Sequence, residues 1–144
     1  MTDLTISTRG TENGAPTATV TYKGIYASRP QPNGDLVSLF QDQTNVYSIG
    51  RSELQVISRP AVSGVPLQKT NLRLVIPTLE VVAGNDTNGY SAAPKIAYTH
   101  QFKGELVGPT RGSVSERWEL VARATSAFQQ ALILALFKDN TQIV

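Results

Sequence analysis

The sequence predicts an α+β protein with its strands first and a long helix last. Alternating, β-branched runs recur from the N-terminus to Val107, each bounded by Gly, Pro or Asn clusters. At Gly108-Pro109 the pattern changes. From Glu116 to Phe137 there is no Gly or Pro, and apolar residues recur at helical spacing.

The elements follow in order. Residues 4–7 (LTIS) alternate, residues 10–16 (GTENGAP) supply turn chemistry around Asn13-Gly14, and residues 17–22 (TATVTY) alternate again. Together they predict a hairpin. Residues 28–35 (SRPQPNGD) hold two prolines and an Asn-Gly pair, which predicts a loop, with a short strand at 36–40 after it. Residues 51–58 (RSELQVIS) contain a strand stopped by Arg59-Pro60. Residues 69–76 (KTNLRLVI) place Leu72, Leu74 and Ile76 on one face and Asn71 and Arg73 on the other. Pro77 is expected to end regular pairing or to place it at an edge. Residues 97–107 (AYTHQFKGELV) form the last strand, with Gly104 a bulge or bend. Between the last two strands, residues 80–93 are too long for a tight hairpin and predict a projecting loop.

Ser113-Val114-Ser115-Glu116 fits a capping box and starts the helix. Trp118, Val121, Ala122, Thr125, Phe128, Leu132 and Leu136 follow at helical spacing. Glu116, Arg117, Glu119 and Arg123 lie in the first third, whereas residues 124–137 carry no charge. A helix apolar nearly all round needs more cover than one small sheet offers. Either the monomer buries it on both sides or a second chain does, and obligate association is the reading adopted.

Composition narrows the chemistry. At 144 residues the chain is long enough for one ordinary domain. It has no Cys, so disulfides, thiolate metal sites and cysteine nucleophiles are excluded. Its one His, His100, rules out a multi-histidine site within a protomer. Asp35, Asp42, Glu53 and Glu105 show no spacing that argues for paired carboxylates, and there is no phosphate loop or metal motif, so neither an enzyme nor a cofactor is expected. Net charge is only +2. The first residues, MTDLTISTRG, carry no apolar stretch, and the longest strongly apolar run spans residues 131–137, so neither a secretory signal nor a membrane span is expected.

The order of PNGDLVSLFQ, LQVISRP, KTNLRLVIP, AYTHQF and SERWELVARATSAF resembles the coat proteins of single-stranded RNA bacteriophages, the leviviral type. Each segment is short, but their order and spacing cover nearly the whole chain. The resemblance implies a single coat domain over residues 1–144, with an N-terminal hairpin (1–24), a five-stranded antiparallel sheet (35–108) and a C-terminal helical region (113–138) interlocking with a partner subunit. It implies a homodimer, further coat dimers in an icosahedral shell of triangulation number three, and enclosed single-stranded genomic RNA. A stem-loop operator bound to repress replicase translation, one maturation protein, and assembly of the virion in the bacterial host cytoplasm are also implied. Trp118, Val121, Phe128, Leu132 and Leu136 would lie at the dimer interface.

The same resemblance implies RNA contacts at Asn71, Arg73, Tyr98 and His100, with Gln55 and Arg59 as further candidates. Alternation independently places Tyr98 and His100 on one face of their strand. Arginine suits phosphate, an aromatic ring offers a stacking platform, and polar side chains read an unpaired base. Matching LQVISRP to the family pattern puts Leu54 and Val56 where small hydroxyl residues would hold an adenine, with Glu53 and Gln55 on the alternate face. Either that register is shifted by one, which swaps the faces, or the pocket differs. The loop residues Gly84, Asn85, Asn88, Gly89 and Tyr90 would meet their copies around the symmetry axes of the shell. The competing reading is a non-viral RNA-binding or scaffolding domain that forms dimers without a shell.

Overall fold

The computed structural model describes residues 3–9, 16–62, 66–80, 93–130 and 133. Six strands, β1 (Leu4–Arg9), β2 (Pro16–Pro30), β3 (Leu36–Asp42), β4 (Glu53–Arg59), β5 (Leu67–Leu79) and β6 (Ile96–Pro109), precede the helix α1 (Val114–Phe128). They form one sheet in sequential order, with β1 to β5 antiparallel throughout. Glu80 N donates to Lys95 O at 2.8 Å where β5 hands over to β6.

The hairpin is therefore part of the sheet, whose six strands are one fewer than a hairpin followed by five strands would give. The cause is the length of β2, which pairs with β1 through its first half and with β3 through its second. It runs on to Pro30, into the stretch expected to be a loop. Irregular pairing between Gly24 and Tyr26, and between Tyr26 and Arg29, lets the strand bend instead of ending. Ser28 takes a positive φ of 46° there, and its N–H donates to Ser38 Oγ at 2.9 Å. The turn that follows is the Asn-Gly one. Gly34 has φ 82°, where an L side chain is strained, and Gly34 N donates to Gln31 O at 2.9 Å.

Strand β5 passes through Pro77, yet the proline breaks no ladder bond to β4. The β4–β5 register ends at Glu53 opposite Val75, so Pro77 lies beyond the end of its neighbour. Strand β4 stops at Arg59, as Pro60 requires.

Period two divides the sheet into two unlike faces. One carries the rows Phe40–Leu54–Leu74 and Ser38–Val56–Leu72; the other carries Leu39–Gln55–Arg73 and Val37–Ile57–Asn71. The packed centre is thin. Among the described residues Tyr22, Val37 and Leu54 are its buried apolar side chains, and the Tyr22 hydroxyl lies 3.0 Å from Ser52 Oγ.

The chain divides into two compact units, residues 1–107 and 108–144. In the second, Ser113 caps α1 as expected: its Oγ accepts from Glu116 N at 3.2 Å, and its N–H donates to Glu116 Oε2 at 2.7 Å. The bonds that Ser113 donates to it hold the Glu116 carboxyl below its ordinary pKa. Helix α1 ends at Phe128, with Gln129 N and Gln130 N donating to Ser126 O and Ala127 O, and Ile133 is again helical within the region 113–138. No residue of α1 is buried; Trp118 is 68% exposed and Leu120 47%.

Candidate nucleic-acid interface

The polar face of the sheet gathers four of the six expected RNA residues. Gln55 stands opposite Arg73 and Ile57 opposite Asn71, while Arg59 stands opposite Lys69 at the end of the same pair of strands. The pairing also settles the faces of LQVISRP. Leu54 and Val56 face Leu74 and Leu72 on the apolar side, so the residues of β4 on the Arg73 side are Glu53, Gln55, Ile57 and Arg59.

Tyr98 and His100 are not part of this group. Gln101 faces Arg73: with its amide turned to suit both partners, Gln101 Oε1 accepts from Arg73 Nη2 at 2.8 Å and from Arg73 Nε. Lys69 Nζ lies 3.6 Å from Glu105 Oε1, which extends the same alternation along β6. Residues 99, 101, 103 and 105 thus share the polar face. Tyr98 and His100 fall on the other, with Leu72 and Leu74. Their rings do share one face, meeting edge to face with centroids 5.3 Å apart.

The cations of the polar face differ in availability. Arg59 is clamped to Asp35, Nε to Oδ1 at 2.6 Å and Nη2 to Oδ2 at 2.9 Å, and Asn33 Nδ2 adds a third bond to that carboxylate. The Arg59 hydrogen bonds outweigh the burial of Asp35 and hold its carboxyl below the ordinary value; the same contact raises Arg59. This pair ties the Asn33-Gly34 turn to the end of β4. Arg73 is oriented by the neutral amide of Gln101, which leaves its charge and its remaining donors for an anion.

One row crosses five strands: Tyr26 opposite Leu39, Leu39 opposite Gln55, Gln55 opposite Arg73, and Arg73 bonded to Gln101. Beside it a cleft of about 440 Å³ is lined by Tyr26, Gln31, Asn33, Asp35, Gln55 and Ile57, among others. The Arg29 guanidinium lies 5.8 Å from the Tyr26 ring centroid. Sequence reasoning passed over Tyr26, Arg29 and Gln101. A signal for Gln101 existed, because Thr99, Gln101, Lys103 and Glu105 alternate with Tyr98, His100 and Phe102. Gly84, Asn85, Asn88, Gly89 and Tyr90, and Leu132 and Leu136, lie outside the described residues. Among the described residues no cluster of His, Asp and Glu could hold a metal ion. Nor is any helix there long and apolar enough to cross a membrane.

No family model matches the sequence, and no curated protein does. Solved structures do. The virus-like particle of bacteriophage ESE058 aligns over 100% of this chain and 99% of its own, with a TM-score of 0.79 at 18% identity. The chain has the leviviral coat-protein fold. A second neighbour, the virus-like particle of Beihai levi-like virus 21, aligns over 99% of this chain and 96% of its own, with a TM-score of 0.76 at 17% identity. The capsid protein of bacteriophage GA matches 94% of the chain and 93% of its own, with a TM-score of 0.59 at 15% identity. On this fold, the long β2 and the six-stranded sheet are how this sequence builds the hairpin and sheet that its motifs implied.

Proposed function

We propose that the chain is a phage coat protein that dimerises, builds a closed shell, and holds single-stranded RNA against the polar face of its sheet. The observation that carries this reading is the division of a coat-fold sheet into one polar and one apolar face, with large side chains of the apolar face left exposed. On the apolar side Leu72, Ile76, Ile96 and Tyr98 are 38%, 44%, 47% and 56% exposed. A soluble chain does not leave such a surface, and a helix with no buried residue, without cause. The apolar side chains of a partner's α1, Trp118, Val121 and Phe128, suit that face. Strand β6 ends the strand order and offers a fourteen-residue edge to a second β6.

On the polar face, Arg73 supplies charge for phosphate, Asn71, Gln55 and Gln101 supply amides, and the Tyr26 cleft has the size and lining for an unpaired base. Arg59 serves mainly to fix the wall of that cleft. Tyr98 and His100 belong with the dimer contact. Recognition of a stem-loop operator, with repression of replicase translation, is the selective form of this binding. A shell of triangulation number three, one maturation protein, and a capsid assembled in the host cytoplasm complete the proposal, with the 80–93 loop at the symmetry axes.

Electron microscopy of the expressed, nuclease-treated protein tests it. Uniform particles of megadalton mass that retain RNA are expected. A stable dimer that forms no larger assembly, even when mixed with RNA, overturns the coat reading and leaves an RNA-binding dimer.

A further inference from the structure

Two exposed apolar features lie beyond the paired rows of β4 and its neighbours. They sit at opposite ends of β4. Before β4 the chain makes a tip, residues 43–51, whose polar groups are turned inward on itself. Thr44 N donates to Asp42 Oδ1 at 2.9 Å, Tyr47 N to Asn45 Oδ1 at 3.0 Å, Gly50 N to Tyr47 O at 3.0 Å, and Arg51 Nε to Asn45 O at 3.1 Å. Asp42 N closes its base on Ser52 O at 2.9 Å. Gly50 seats it against β5, since a Cβ there would stand 2.7 Å from Leu79 Cδ1. Yet this tied loop shows solvent three large apolar side chains, Val46, Tyr47 and Ile49, at 86%, 54% and 43% exposure. Between Asp42 and Arg51 it carries no charge. Its backbone is already ordered, so docking it costs little further conformational entropy.

Past the other end of β4 lies a cleft of about 460 Å³ lined by Pro60, Val62 and Leu67, by Asn33 and Gly34, and by the cations Arg59 and Lys69. Val62 and Leu67 are 64% and 41% exposed. The seven residues of β4 hold tip and cleft about 20 Å apart in one copy. They cannot meet within a chain, but they can meet between chains.

We propose that the Val46-Tyr47-Ile49 tip of one copy seats in the Pro60-Val62-Leu67 cleft of the next, with the Tyr47 hydroxyl accepting from one of the cations that line it. This rests on the coat reading and deepens it. A twofold contact uses the same patch on both copies and stops at a dimer; a head-to-tail contact between two different patches propagates. A shell needs one of the second kind, and tip and cleft are unlike patches that both leave large apolar side chains exposed.

The chain has no Cys, so introduced thiols report cleanly. In particles of the Val46→Cys/Val62→Cys double variant, oxidation is expected to give a ladder of cross-linked chains beyond the dimer. Neither single variant should give one. Val46→Asp, at an exposed tip position, should keep its circular dichroism spectrum and its dimer while particle yield falls at least tenfold. Particles of the double variant without a ladder, cross-linking of Val46→Cys alone, or normal assembly of Val46→Asp would each overturn the contact. If the unaltered chain forms no particles, it is the coat reading that fails, and that result is distinct from all three.

Discussion

Trp118 is the only tryptophan in the chain and stands 68% exposed on α1. A fully buried indole withdraws up to about 250 Å² from water, so covering what Trp118 still shows would remove about 170 Å². At about 25 cal/mol per Å², that is about 4 kcal/mol for each protomer. A dimer buries two copies. Trp118→Ala should therefore weaken association by about 8 kcal/mol at most, or about six orders of magnitude in the dissociation constant. Sedimentation equilibrium over a dilution series would read the shift. Because the indole has no rival in the chain, its emission serves as an independent check: it should move to shorter wavelength as dimers form. A Trp118→Ala protein that dimerises as tightly as the parent, with parental emission unchanged on dilution, would refute the assignment of this helix face to the partner.

Other outcomes follow from single residues. Arg73→Ala should leave particles intact but weaken binding to a stem-loop RNA, and the slope of log affinity against log salt should flatten by about 0.7 to 0.9 for each phosphate that is no longer neutralised; filter binding at several salt concentrations checks this. The carboxyl of Asp35 titrates below its ordinary range because Arg59 donates to it, so its contribution to stability is complete above the ordinary carboxylate pKa and disappears as pH falls through the lowered value. Thermal unfolding should accordingly find Asp35→Asn less stable than the parent near neutrality, with the two converging in strong acid. Ser113→Ala removes the acceptor for Glu116 N and should cost about 1 kcal/mol, measured by denaturant unfolding with helicity as the signal.

Much of this fold is legible in the sequence because its signals are local. Asn33-Gly34 marks the turn, Pro60 the end of β4, Ser113 and Glu116 the start of α1, and the alternation of KTNLRLV separates Arg73 from Leu72 and Leu74. What stays hidden depends on partners distant in the chain. Nothing in LQVISRP tells which of its faces meets Arg73 until Gln55 is paired with it. Alternation along β6 likewise leaves open which face joins Arg73. A tyrosine suits a stacking platform and an apolar surface equally well, and the Arg73–Gln101 contact separates the two. The prolines of β2 read as a loop, since a bent strand and a loop carry the same punctuation. The end of α1 is silent because Gln129 and Gln130 are good helix formers and carry no stop signal.

The packed centre described above is also a statement about concentration. Among the described residues no side chain is withdrawn from solvent below 2% exposure. On the coat reading, a chain with so little interior among its described residues would gain much of its folding free energy from its neighbours, and that gain follows mass action. Its melting temperature should rise with protein concentration. In a cell, newly made copies would then stay uncommitted while scarce and become durable once abundant, so that synthesis rate alone could set when building begins.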